Sequence, residues 1–131
     1  MTLSAAEETN RRMLRARDAM DRSFAEPLDI AALARLTHCS QAHFIRTFRA
    51  TFGETPHRYL QRRRIERAMY LIRSSNQDVT QVCLAVGYTS LGTFSRTFRQ
   101  VVGCSPSEYR QATVDVPAPT CFVMRWTRPS G

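Results

Sequence analysis

Apolar residues recur along this chain at helical spacing. Met13, Ala16, Met20 and Phe24 fall at i, i+3, i+7 and i+11 with Arg and Asp between them, which predicts an amphipathic helix closed at Glu26 and Pro27. Asp29 is placed to cap a second helix from Ile30 to about Leu36, with Ile30, Leu33 and Ala34 as its apolar face. Thr37, His38 and Cys39 form a turn. Ser40 then caps a third helix in which Phe44 and Phe48, one turn apart, face inward, and Gly53 ends it in the left-handed conformation. Pro56 suits the start of a long helix to about Arg73, with Leu60, Ile65, Ala68, Met69, Leu71 and Ile72 on its buried side. After the polar break from Ser74 to Asp78 the order repeats. A helix carries Val79, Val82, Cys83 and Val86, Gly87 makes the turn, and Ser90 caps a helix with the inward pair Phe94 and Phe98. Gly103 and Pro106 close that helix, and a short last helix is expected around Ser107 to Arg110. From Thr113 on, two prolines and the apolar run Cys121, Phe122, Val123, Met124 with Trp126 predict a linker and tail, laid over the core or held for a partner.

The repetition is one of sequence as well as pattern. Phe44-Ile-Arg-Thr-Phe-Arg49 with Gly53, Pro56 and Tyr59 returns 50 residues on as Phe94-Ser-Arg-Thr-Phe-Arg99 with Gly103, Pro106 and Tyr109. Upstream, Ile30, Leu33 and Ala34 match Val79, Val82 and Cys83 at an offset of 49, so the second copy has one extra residue in its turn. The chain therefore holds one helix-turn-helix unit twice. The expected class is all-α, with a first lobe over about 12–55, a linker helix over 56–73 and a second lobe over 74–111. Together these form a domain over 1–112, followed by a 113–131 tail.

With 131 residues, one ordinary domain or two very small lobes fit. Net charge is +8, and every one of the basic residues is arginine. Eight arginines lie between Ser40 and Arg73 against Glu54 and Glu66. A guanidinium is a planar fork of donors suited to phosphates and guanine edges, so a polyanionic partner is expected, nucleic acid ahead of a membrane surface. Cys39, Cys83, Cys104 and Cys121 form no Cys-x-x-Cys pair, which speaks against a disulfide framework or a metal site. His38, Cys39 and His43 are close in sequence, yet Cys39 aligns with the aromatic Tyr88, an apolar position. No cofactor, no metal and no catalytic constellation is expected, and no stretch reaches the roughly 20 apolar residues of a membrane span. The start has no basic region followed by an apolar core, so the expected location is cytoplasmic.

In a helix-turn-helix the outward face of the second helix enters the major groove. With the Phe pairs inward and about 100° per residue, that face offers Gln41, Ala42, Ile45 and Arg46 in the first copy and Leu91, Gly92, Ser95 and Arg96 in the second. Arg46 and Arg96 suit bidentate contact with guanine, Gln41 suits adenine, and Ile45 and Leu91 suit thymine methyl groups. Phosphate contacts are expected from Ser40 and Ser90 at the helix N-termini, from Arg49 and Arg99, and from Arg62 and Arg63. Arg64 is expected to turn inward to Glu66, Glu108 or a carbonyl. A helical protein-interaction module, or a non-specific nucleic-acid binder, remains an alternative reading of these faces.

Ile30-x-x-Leu33-Ala34, Ser40-x-x-x-Phe44-x-x-x-Phe48 and Gly53-x-x-Pro56, with their second-copy counterparts through Gly103-Cys104-Ser105-Pro106-x-x-Tyr109, resemble the paired helix-turn-helix domain of AraC/XylS-family transcription regulators over roughly residues 12–111. The resemblance implies seven helices in two lobes and sequence-specific binding of double-stranded promoter DNA, as a monomer on an asymmetric site. It further implies recruitment of RNA polymerase, for activation or repression, with no small-molecule effector expected because no separate effector domain is evident. Three positions depart from the pattern. His38 stands where the second copy has Gly87, so a non-glycine residue is expected at positive φ. Cys83 fills a small buried position, and Gly92 weakens the second recognition helix by about 1 kcal/mol relative to alanine. Direct readout is expected to be stronger in the first lobe.

Overall fold

The computed structural model describes residues 2–115, with the side chains described to 112; the expected apolar tail lies outside these bounds. Among the described residues there are seven helices and no strand: α1 Ala5–Arg22, α2 Ile30–Leu36, α3 Gln41–Phe52, α4 Pro56–Ser74, α5 Val79–Ala85, α6 Leu91–Val102 and α7 Pro106–Asp115. They form two compact units, the first ending at Leu60 and the second starting at Gln61, so that the boundary falls within α4.

Helix ends follow the caps. Ser40 Oγ accepts from His43 N at 3.1 Å, and Ser90 Oγ accepts from Thr93 N at 3.2 Å. Gly53 and Gly103 close α3 and α6 at φ 79° and 99° and donate to the carbonyls of Arg49 and Arg99. Such backbone angles favour glycine, which has no Cβ to clash. The turn between α2 and α3 reaches the left-handed region through His38 at φ 58°, where the second copy uses Gly87 at 98°. The same bond holds each turn: Cys39 N donates to Ala34 O at 2.9 Å in the first, and Tyr88 N donates to Cys83 O at 3.0 Å in the second.

Two helices are longer than their apolar stripes predict. Ser4 and Glu7 form a capping box that starts α1 two turns ahead of its first buried residue, Met13. At the other end α1 stops at Arg22, so Phe24 lies beyond the helix and still packs on the core. The last helix runs from Pro106 to Asp115 rather than stopping near Arg110, carrying regular backbone past the expected start of the tail.

In the first unit, Met13, Ala16, Met20, Leu33, Ala34, Phe44, Phe48, Tyr59 and Leu60 form one buried cluster. Ring centroids step from Phe44 to Phe48 at 5.7 Å and on to Tyr59 at 5.9 Å. The second unit repeats the series with Phe94 to Phe98 at 5.8 Å and Phe98 to Tyr109 at 5.7 Å. Tilted rings at this spacing combine area burial with favourable edge-to-face electrostatics. Each Phe pair thus fixes the rotation of its helix and decides which residues face outward. Val86 is fully buried in the second turn, and its counterpart Thr37 is also fully buried, with its hydroxyl donating to Leu33 O at 2.8 Å.

Candidate nucleic-acid interface

With Phe44 and Phe48 inside, α3 leaves Gln41, Ala42, His43, Ile45, Arg46 and Arg49 exposed. On α6, Leu91, Gly92, Thr93, Arg96 and Arg99 are exposed and Ser95 is half-buried. The expected base-contact residues are therefore gathered on one outward face in each unit, with Arg46 and Arg96 at the same place in the two copies. Nothing stands over Gly92 except Ser90 Oγ and an Arg96 guanidinium nitrogen, 3.8 and 4.0 Å from where a Cβ would sit. Ser40 and Ser90 lie at the helix N-termini as caps.

The arginines differ in how they are held. Arg46 and Arg49 make no hydrogen bond or ion pair among the described residues. In the second unit Arg96 Nη2 donates to Thr93 Oγ1 at 3.4 Å, and Arg99 lies 3.5 Å from a Glu108 carboxylate oxygen. Glu108 belongs to the start of α7, where its carboxylate accepts from Ser105 N at 2.8 Å while Ser105 Oγ accepts from Glu108 N. The Ser105 backbone and hydroxyl contacts, and more weakly Arg99, hold this carboxyl below the usual range. The first copy has Thr55 as the corresponding cap, with Arg58 N donating to its hydroxyl at 3.2 Å, and places exposed Arg58 where the second copy has Glu108. Only the second unit thus has an acid at that place.

On α4, Arg62 and Arg63 both bind Glu66, at 2.7 and 2.8 Å, each at least two-thirds shielded from solvent. The expected phosphate contacts are thus already engaged by one carboxylate, and Glu66 is held by these two arginines. Arg64 is half-buried, its guanidinium carbon 5.5 Å from the centre of the Tyr88 ring, a partner not among those expected for it. Partial burial lowers its pKa, offset in part by Tyr88. Among the described residues no three His, Cys, Asp or Glu side chains are grouped to hold a metal, and Cys39 Sγ donates to Thr37 O at 3.4 Å. No described helix is long and apolar enough to cross a membrane.

A family profile described as a helix-turn-helix domain matches residues 33–112. SoxS of Salmonella typhimurium is 31% identical over 91 residues, covering 70% of this chain and 85% of that protein. The chain belongs to the AraC/XylS family. Another family relative, the MmsAB operon regulatory protein of Pseudomonas aeruginosa, is 42% identical over 84 residues, 64% of this chain. The match spans only 27% of that regulator's length. Among solved structures, the DNA-binding domain of AdpA, determined in complex with a target DNA, superposes with a TM-score of 0.74 at 26% identity. That superposition covers 82% of this chain and 98% of the AdpA chain. An AraC-type regulator from Chromobacterium violaceum gives 0.74 at 26% identity, over 82% and 96%. The paired units are therefore an AraC-type helix-turn-helix DNA-binding domain.

Two features of this interface escape the sequence reading. His43 lies about 60° around α3 from Arg46, and helical geometry alone puts it on the outward face; its nearness to His38 and Cys39 draws attention to metal chemistry instead. The exchange of Arg58 for Glu108 is visible once Pro56 and Pro106 are aligned, but its meaning needs the contact between Arg99 and Glu108.

Proposed function

We propose that this protein is a transcription regulator that recognises an asymmetric promoter site, with α3 and α6 inserted in successive major-groove segments. One observation carries the reading: two units on the same aromatic frame each present an arginine, Arg46 and Arg96, at the same outward position. The neighbouring residues differ, Gln41, Ala42 and Ile45 against Leu91, Gly92 and Ser95, and so the two half-sites differ in sequence. Ser40, Ser90, Arg49 and Arg99 contact phosphates; Arg62 and Arg63 do so by exchanging Glu66 for the DNA backbone. Residues 1–112 form the DNA-binding domain, which works in the cytoplasm as a monomer on DNA and acts through RNA polymerase. It is not an enzyme.

Selection of bound sequences from a random duplex pool tests this. Arg46→Ala is expected to weaken binding to the selected site by about 1–3 kcal/mol and to relax one base position, the discrimination carried by a bidentate guanine contact. Equal loss on selected and random duplexes would instead favour a non-specific binder. An absence of DNA binding with retained capture of polymerase would favour a protein-interaction module.

A further inference from the structure

One exposed side chain on the outward face of α3 has no part in the contacts assigned above. His43 stands in the first turn, where recognition helices reach base edges, and its backbone N–H is fixed by Ser40. Its Nε2 lies 3.5 Å from the Thr47 hydroxyl one turn on, and among the described residues the ring makes no other hydrogen bond. Nδ1 is left without a protein partner in this set. The second copy uses the same place differently: Thr93 accepts from Arg96 and so holds the arginine, whereas Arg46 has no such tether.

We propose that His43 is a further base-reading residue of the first unit, one that selects a purine beside the base met by Arg46. In this proposal the Thr47 hydroxyl is the donor to Nε2, which selects the Nδ1–H tautomer, and Nδ1–H donates to N7. That acceptor is present on adenine and guanine in the major groove and absent from both pyrimidines. Thr47 acts as a positioning residue through the tautomer it selects. This inference rests on the DNA-reading role proposed for α3.

Base-preference profiles from a randomised duplex pool, measured for the unaltered protein and for His43→Phe, His43→Asn and Arg46→Ala, decide it. His43→Phe keeps a ring and removes both nitrogens. It is expected to lower purine preference at a single position about three- to tenfold, the worth of one hydrogen bond, with random-duplex affinity and melting temperature unchanged. Asparagine, whose amide nitrogen lies near the place of Nδ1, is expected to restore part of that preference. A profile flattened by Arg46→Ala at its own position but untouched by His43→Phe would sink this inference alone. Equal weakening of all sequences by His43→Phe would reassign the residue to phosphate. A flat profile for the unaltered protein would remove the DNA-reading role and this inference with it.

Discussion

At the scale of single residues, the two copies act as controls for each other. His38 and Gly87 hold the same place in the turn, and both have positive φ. A side chain in the left-handed region costs roughly 1–2 kcal/mol, partly offset by the chain entropy that glycine would lose. His38 is exposed, so its replacement gives up little packing. His38→Gly is therefore expected to stabilise the protein by about 0.5–1 kcal/mol, seen as a higher denaturant midpoint with an unchanged slope; no gain would mean that the histidine makes a contact outweighing its strain. This strain is legible in the sequence, since aligning the copies puts histidine against glycine. The partners of Arg62, Arg63 and Arg64 are less so. All three arginines are adjacent in sequence, Glu66 lies within reach of more than one, and side-chain rotamers decide that Arg62 and Arg63 take the carboxylate while Arg64 turns to Tyr88.

At the scale of elements, caps set boundaries more reliably than apolar stripes do. The ends of α2, α3, α5 and α6 follow Asp29, Ser40, Gly53, Asp78, Ser90 and Gly103, and all are visible in sequence. The start of α1 is missed because a stripe begins only where burial begins, although Ser4-x-x-Glu7 is itself a capping-box signature. The far end of α7 is missed because no breaker stands between Arg110 and Asp115: Gln111 and Ala112 favour helix, and only Thr113, Val114 and Asp115 favour it weakly. Capping boxes also give this fold a pH dependence. Glu7 and Glu108 are held below the ordinary glutamate range, first by the backbone N–H of Ser4 and Ser105 and then by their hydroxyls. Because the folded pKa lies below the unfolded one, this stabilisation is complete above the glutamate range and is lost as pH falls through the folded values. Replacing both residues with glutamine, which can still serve in a capping box, is expected to flatten the fall in melting temperature on acidification. An acid limb as steep as that of the parent would assign it to other carboxylates.

At the scale of the whole molecule, charge is distributed unequally between two units of the same build. Arg49 is without an acidic partner among the described residues and shares its unit with Arg58, whereas Arg99 faces Glu108. Arg58→Glu copies the second arrangement into the first: it removes one cation and supplies Arg49 with a carboxylate. Such a change is expected to lower affinity for every duplex and to flatten the dependence of log affinity on log salt by about one to two units, leaving base preference intact. A changed preference at one position with an unchanged salt slope would place Arg58 at a base edge instead. What stays constant between the units is the aromatic series Phe44, Phe48, Tyr59 and its echo Phe94, Phe98, Tyr109, whose spacings agree within a few tenths of an ångström. A frame shared in this way separates change in what is displayed from change in what keeps the chain folded. With the frame common to both, the combinations of outward faces that the pair can display grow as the product of the choices open to each half rather than as their sum.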